Sequence, residues 1–344
     1  MTPARAAAIL EGIRSARIGI IGDFCLDAYW QIDRGTPELS LETGRPTRAV
    51  TAQQYNPGGA GNVAANCRAI GALTVRAFGV IGPDLFGREL AAVLSRRGID
   101  TSGLIVQERD WDTPVYAKPY VGAEEQERID FGRGNTLAPA AEAALVRALR
   151  EALPALDAVI VNQQLERGFA SAAVIRALND LAGTVPRVPF ILDSRTMSGA
   201  FRGMICKLNA VEACRIAGPA GADACGASRE TISEWARAIA HRTGKPVFVT
   251  RGAHGILLFD GEKDEELPAV PLTGPIDTVG AGDATVAAIS SALAAHASLR
   301  EAGEMGNIAA AVTVKKLRET GTASAEEILG LLRGATGATR NDMS

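Results

Sequence analysis

Apolar and polar positions along this chain alternate in blocks. Short apolar runs closed by Gly, Asp or Asn are followed by longer stretches whose apolar residues recur at helical spacing. "RIGIIGDF" (17–24) reads as a buried strand, "NVAANCRAIGAL" as a helix ending near Gly71, and "TVRAFGVIG" as the next strand. "PDLFGRELAAVLSRRGI" has Pro83 at its start and Gly98 at its end, the punctuation of a helix. Three more pairs follow: "PAAEAALVRALREAL" before "DAVIVNQ", "ASAAVIRALNDLA" before "PFILDS", and "ETISEWARAIAHRTG" before "PVFVTRG". Strands alternating with helices predict an α/β fold, a mostly parallel central sheet flanked by helices.

Two stretches break the rhythm. Residues 28–55 and roughly 110–133 carry Thr, Val and Tyr between turn residues and show no helical period. They are expected to form short strands that leave the main sheet and make a small β lid over the site. The last third is helical, in "ATVAAISSALAAHA", "LREAGEMGNIAAAVTVKKL" and "SAEEILGLLRG", and the tail "ATGATRNDMS" is expected to fray. No repeat or low-complexity linker divides the chain, so residues 1–344 are read as one domain with an inserted lid.

Composition changes this picture only by exclusion. A net charge of −3 without long single-sign runs argues against nucleic-acid or membrane-surface binding through bulk charge. The five cysteines are odd in number and lack CxxC spacing, so neither a disulfide framework nor a zinc site is expected, and a reducing cytoplasm is the expected home. The N-terminus has no continuous apolar signal segment, and no run reaches membrane-spanning length.

The candidate chemistry lies in "DTVGAGD" (277–283), just before an alanine-rich helix. Glycines let backbone approach a ligand closely, and the first amides of a helix have no intrahelical partner, so such a turn binds anions. A carboxylate there, Asp283, would repel a static phosphate. It makes sense as a base that takes a proton from a hydroxyl attacking that phosphate. The competing reading is a plain helix cap. No GxxxxGK[ST] is present, and "NPGGAGNVAAN" is a poor dinucleotide fingerprint.

These residues carry a resemblance. "DTVGAGD" resembles the second signature of the ribokinase-like, or phosphofructokinase B, carbohydrate kinases, and "NPGGAGNVAANCRAIGA" resembles their first. "GDFCLD", "KLNAVEA" and "TRGAHG" look like the family's substrate motif, NxxE motif and nucleotide loop, in family order. The resemblance implies an ATP-dependent kinase acting on a hydroxyl of a sugar or sugar phosphate, with Mg²⁺ as cofactor. It implies Asp283 as catalytic base and Gly280, Ala281 and Gly282 as anion hole. Asp27, Gly58, Gly59 and Asn62 would grip the sugar, and Asn209 and Glu212 would organise magnesium and phosphate, largely through water. Thr250, Gly252, Gly255 and Asn307 would line the nucleotide site, and K⁺ would bind near Asp277. The lid would pair with that of a second copy, giving a homodimer.

Within the family the chain most resembles the kinases of D-glycero-D-manno-heptose 7-phosphate, through "LDAYW" and through Thr113, Lys118, Gln126, Arg128 and Asp130 of the second lid stretch. Lys118 and Arg128 are candidates to pair with a substrate phosphate. The nucleotidyltransferase domain fused to some of these kinases is not expected. The substrate side departs from their pattern: "LSLETGRPT" replaces S-P-E-A-P-V-P, "NQQLERG" replaces S-D-Y-x-K-G, "DSR" replaces D-P-K, and Pro119 stands for a basic residue. A nucleoside or fructose-phosphate kinase of the same family, and a silent sugar-binding protein on this fold, remain alternatives.

Overall fold

The computed structural model describes all residues except 36–37, 220, 222–223, 225, 317–320 and 342–344, with side chains described as far as residue 334. The chain opens with helix α1 (Pro3–Ile13), whose Thr2 caps the Arg5 amide, and continues into strand β1 (Arg17–Gly22). It does not turn at Gly-Asp. After Asp23 it enters strand β2 (Phe24–Ile32) directly, and strand β3 (Val50–Gly59) runs back through Gly58 and Gly59. These two strands are therefore longer than the 28–55 excursion at both ends. Helix α2 (Ala60–Ile70) follows and stops at Gly71, which is left-handed at φ +117°. Strand β4 (Thr74–Ile81), helix α3 (Leu85–Arg96) and strand β5 (Asp100–Val106) complete the first half. Asp84, not Pro83, caps α3 by accepting the Gly87 amide.

The second excursion forms β6 (Val115–Val121), β7 (Glu124–Glu125) and β8 (Ile129–Phe131). The βα alternation then resumes as α4 (Pro139–Ala152), β9 (Ala158–Gln163), α5 (Ala172–Thr184), β10 (Phe190–Ser194), β11 (Ile205–Asn209), α6 (Ala210–Ala217), α7 (Arg229–Thr243) and β12 (Val247–Thr250). The hairpin β13 (Ile256–Phe259) and β14 (Asp264–Leu267) precedes three helices, α8 (Ala281–Ala294), α9 (Leu299–Thr313) and α10 (Ala325–Asn341). The tail expected to fray is helical as far as Asn341, and residues 342–344 lie outside the described residues.

The main sheet has nine strands in the order β14-β13-β12-β11-β10-β9-β1-β4-β5. From β12 to β5 every pairing is parallel, and β13 and β14 are antiparallel. Its parallel strands are buried on both faces, so they read as continuous apolar runs rather than alternating ones. Side chains still alternate between two cores. Ile18, Ile20 and Ile160 join the core under α2, α8 and α9, while Ile21, Val159 and Val161 join the core under α4, α5 and α7. Helix α8 is buried almost all round from Ala284 to Ala292, and its small side chains let α2 and α9 pack closely on either side.

The five-stranded second sheet has the order β3-β2-β6-β7, with β8 also on β6. β2 and β3 are antiparallel, and β2 and β6 are parallel. The chain thus passes from the carboxyl end of β1 straight into the second sheet. In the main sheet β4 and β5 lie to one side of β1, and β9, β10 and β11 to the other. Such a reversal of winding opens a crevice at the carboxyl ends of the strands, where ligands bind in open α/β sheets.

Candidate functional site

Helix α8 begins above that crevice. Its N-cap Gly280 has φ +79°, a left-handed conformation that glycine adopts without Cβ strain, and no side chain caps the helix. The Ala281 amide donates to Thr278 O at 3.2 Å, so it serves the turn. Of the opening amides, those of Gly282 and Asp283 are the ones left without an intrahelical acceptor. Asp283 accepts a 2.7 Å hydrogen bond from Asn62 Nδ2 on α2. Burial pushes its carboxyl up to about 6; Asn62 pulls the other way and nearby Asp193 adds to the rise. A carboxylate tuned into that range is a competent base near neutral pH. The cap reading of Asp283 is not what the geometry displays, because its carboxylate is turned to α2.

Beneath this turn lies a polar row that the sequence reading did not single out. Asn162, Asp193 and Lys207 occupy neighbouring register positions on β9, β10 and β11, and all three are buried. Lys207 Nζ sits 3.2 Å from Asp193 Oδ1, and Asn162 Nδ2 is 3.4 Å from Asp193 Oδ2. Burial opposes the Lys207 charge, but Asp193, Glu212 and Asp283 outweigh it and hold its pKa above the usual value. The signal was legible: a lysine two residues after Ile205 in the buried strand "ICKLN" is a charge in a core row.

Asn209 and Glu212 form a reciprocal capping box on α6. Asn209 Oδ1 accepts the Glu212 amide at 2.8 Å, and Glu212 Oε2 accepts the Asn209 amide at 2.9 Å. The structural alternative for this pair is therefore realised. Glu212 still faces the row: burial raises its pKa while Lys207 pulls it down.

Four residues assigned to the nucleotide converge. Thr250, Gly252, Gly255 and Asn307 line one cavity of about 610 Å³ together with Ala281 and Gly282 of the turn. Its other walls are mainly apolar, including Val270, Leu272, Ile276 and Val314. Apolar walls of this kind suit a flat ring, and the open amides of α8 at one end suit an anion. The Asn307 amide donates to Leu267 O and Pro268 O at 2.9 and 3.1 Å, so it braces the wall. Asp277 Oδ1 accepts the Val279 amide at 3.0 Å in the same turn.

The residues assigned to the sugar lie on the second sheet and at its joint with α2. Asp27 on β2 pairs with Lys118 on β6 at 3.1 Å, and Lys118 also donates to the Tyr29 hydroxyl at 3.3 Å. Burial works against the Lys118 ammonium, but Asp27 and Tyr29 outweigh it and raise its pKa. A Cβ on Gly58 would come within 3.1 Å of Asp27 Oδ2. Gly59, at φ +54°, leads into α2, and a Cβ there would lie 2.5 Å from Asp23 O, so only glycine fits the joint that delivers Asn62.

Arg128 is paired with Asp130 at 2.6 Å, feels the Asp27 carboxylate as well, and lines a cavity of about 450 Å³ with Tyr116, Arg133, Arg167 and Arg195. Two of those arginines were missed because they come from the loops after β9 and β10, far from the lid in sequence. The β9 loop is held by Asp23, whose buried carboxylate accepts the amides of Gln164, Leu165 and Phe169 at 2.7, 2.8 and 2.9 Å. The described cysteines, Cys25, Cys67, Cys206 and Cys214, are buried; Cys225 lies outside the described residues. No described helix is long and apolar enough to cross a membrane.

The chain is similar in sequence and in fold to known proteins. A family profile described as pfkB family carbohydrate kinase matches residues 24–326. The chain is 32% identical over 339 residues to the bifunctional protein HldE of Caulobacter sp. (strain K31), covering 95% of this chain and 65% of that protein. It is 33% identical over 319 residues to HldE of Azorhizobium caulinodans, covering 90% and 63%. The chain thus spans a little under two thirds of those relatives. Among solved structures, Arabidopsis thaliana ribokinase complexed with ribose and ATP superposes with a TM-score of 0.67 at 21% identity, covering 93% of this chain and 99% of that one. Phosphofructokinase-2 from Escherichia coli, in complex with substrates and products, gives 0.70 at 20% identity with 93% and 99% covered.

Proposed function

We propose, for a chain that belongs to the pfkB family of carbohydrate kinases and so is a phosphotransferase with an alcohol acceptor, that it transfers the γ-phosphate of ATP to a hydroxyl of a sugar or sugar phosphate held between Asp27 and Asp283. The observation that carries this reading is the position of Asp283. It stands at the joint of the apolar nucleotide cavity, which ends at Ala281 and Gly282, and the sugar side, which reaches it through Asn62. Asp283 removes the hydroxyl proton, the hydroxyl oxygen attacks the γ-phosphorus, and ADP leaves. The amides of Gly282 and Asp283 hold the charge that develops on the transferring group.

The residues fit Mg²⁺ in its usual nucleotide-bound manner. No cluster of three or more His, Cys, Asp or Glu among the described residues forms a protein cage. Glu212 is the carboxylate assigned to the ion, and one protein carboxylate acting through water would suit an ion that keeps most of its waters and binds chiefly through phosphates. When bound, the ion supplies charge neutralisation to the phosphates.

Heptose 7-phosphate heads the acceptor candidates because of the likeness to HldE. Exposed Arg167 and Arg195 beside Arg128 offer guanidinium groups to a substrate phosphate, and Lys118 is already committed to Asp27. The test is ADP release from ATP and Mg²⁺ across a panel of sugars and sugar phosphates. Acceptor-dependent release with heptose 7-phosphate at least about tenfold above the other panel members is the expected result. Turnover confined to nucleosides or fructose 6-phosphate moves the assignment to another branch of the family, and ADP release with no acceptor-dependent signal removes the kinase reading.

The second sheet serves as a lid, and we assign it a second role as a dimer surface. Among the described residues strand β3 is an edge whose residues Val50 to Gln54 are exposed, and Leu39 and Leu41 of the β2–β3 connection are exposed as well. Light scattering at micromolar concentration is expected to give the mass of two chains, and a single-chain mass removes this assignment.

A further inference from the structure

Lys207 has no role in the reaction as described so far, yet its surroundings are those of an anion site. It lies in β11 two residues after Ile205, which packs in the core under α8, so Lys207 faces α8 from below. Its Nζ lies 3.1 Å from where a Cβ on Gly282 would sit. The ammonium therefore abuts the first turn of α8, beside the amides that lack intrahelical acceptors. It is 5% exposed, as is its partner Asp193.

Burying such a pair is costly, and an apolar pair of similar volume commonly serves stability as well or better. The location gives the reason to keep it. Asp193, Glu212 and Asp283 all act on Lys207, so without it three carboxylates would face an incoming polyphosphate. Arg195, whose field also reaches Asp283, stands on the acceptor side with the second cavity. Lys207 is the cation on the turn itself.

We propose that Lys207 is a catalytic residue whose ammonium donates a hydrogen bond to a non-bridging oxygen of the transferring phosphoryl group, with Asp193 and Asn162 as positioning residues that aim it. This rests on the kinase reading above. In the step, the acceptor oxygen forms a bond to the γ-phosphorus of a nucleoside triphosphate while the bond from that phosphorus to the β–γ bridging oxygen breaks. The nucleoside diphosphate leaves with the electron pair, and the hydroxyl proton passes to Asp283. Lys207 keeps its proton throughout and stabilises charge that is greatest in the transition state.

The test pairs Lys207→Met with Asp193→Asn in one protein, because Lys207→Met alone would strand a buried carboxylate and could fail to fold. The expected result is a melting temperature and an ADP affinity close to the parent's, an acceptor KM within about threefold, and a kcat lower by about a hundredfold, as for loss of one oxyanion donor. A kcat within about threefold of the parent's overturns the proposal and leaves the pair structural. If the double variant does not fold, Lys207→Arg decides. It keeps charge and partner but moves the donor, so kcat is expected to fall at least about tenfold at an unchanged melting temperature, and a parental kcat overturns the proposal. The parent is assayed in parallel: absence of acceptor-dependent turnover there overturns the kinase reading itself, whereas normal parental turnover with an unaffected variant overturns only the role of Lys207.

Discussion

Asp283→Asn is expected to lower kcat by about a thousandfold, within the range set by loss of a general base, while ADP binding stays close to the parent's. The substitution keeps the shape of the side chain and the opening amides of α8, so the nucleotide cavity survives. What disappears is the acceptor for the hydroxyl proton. The same residue sets a pH dependence. With its carboxyl raised to about 6, Asp283 is increasingly protonated as pH falls below that value. The base form is the deprotonated one, so kcat/KM is expected to decline about tenfold per pH unit on that acid side. Burial disfavours the charged carboxylate, so the asparagine variant is also expected to melt no lower than the parent at pH 8. Steady-state kinetics from pH 5 to 9, with calorimetric ADP titration of the variant, checks all three. Near-parental turnover by Asp283→Asn would remove the mechanism.

Asp23→Ala carries the largest expected effect on stability. Asp23 is 4% exposed and accepts three backbone amides from the β9–α5 connection. Truncation leaves those donors without an acceptor, at about 1–3 kcal/mol for each donor that stays buried and unmade. The three effects are not additive, and a net loss of roughly 3–5 kcal/mol is expected, enough to lower Tm by about 4–7 °C. Asp23→Asn keeps one acceptor oxygen and is expected to fall between.

The pH dependence of this difference has a definite sign. Burial raises the Asp23 carboxyl from 3.8 to about 6, despite the three amides that favour its charge. A folded-state pKa above the unfolded one means that the native protein binds the proton more tightly. The contribution of Asp23 is therefore fully present below pH 3.8 and declines as pH rises through 6. The gap in Tm between parent and Asp23→Ala is expected to be wider at pH 5 than at pH 8. Calorimetric melts at the two pH values measure it, and an equal gap would show that burial does not shift this carboxyl.

Asp23 and Asp283 also mark how far the sequence could be read. The α/β alternation was legible because parallel strands buried on both faces must be apolar throughout, while the helices that cover them need only one apolar stripe. "DTVGAGD" was legible because its chemistry is local: a left-handed Gly280, open helix amides and a carboxylate all lie within one turn. That Thr250, Gly252 and Gly255 share one cavity was legible for the same reason, since one strand end and its turn present them together.

Several features stayed hidden because they exist only between segments. "IIGDF" shows a strand ending in a carboxylate, but not that the carboxylate ties down residues 164–169. Lys118 reads as a substrate-phosphate ligand in the lid, yet register between β2 and β6 places it on Asp27. Asn307 reads as an adenine contact, yet its amide braces Leu267 and Pro268. Hairpin β13–β14 went unread because its short strands lack a neighbouring helix to frame them.

By itself, then, the sequence determined the layered α/β fold and the glycine turn that opens α8, because periodicity and turn chemistry are properties of neighbours along the chain. Only the tertiary structure decided which charges meet. Strand register joined Asp193 to Lys207 across β10 and β11, and the packing of α2 against α8 brought Asn62 to Asp283 from 221 residues away. A buried ion pair is specified by distance and desolvation, and neither is written in the spacing of residues along one chain.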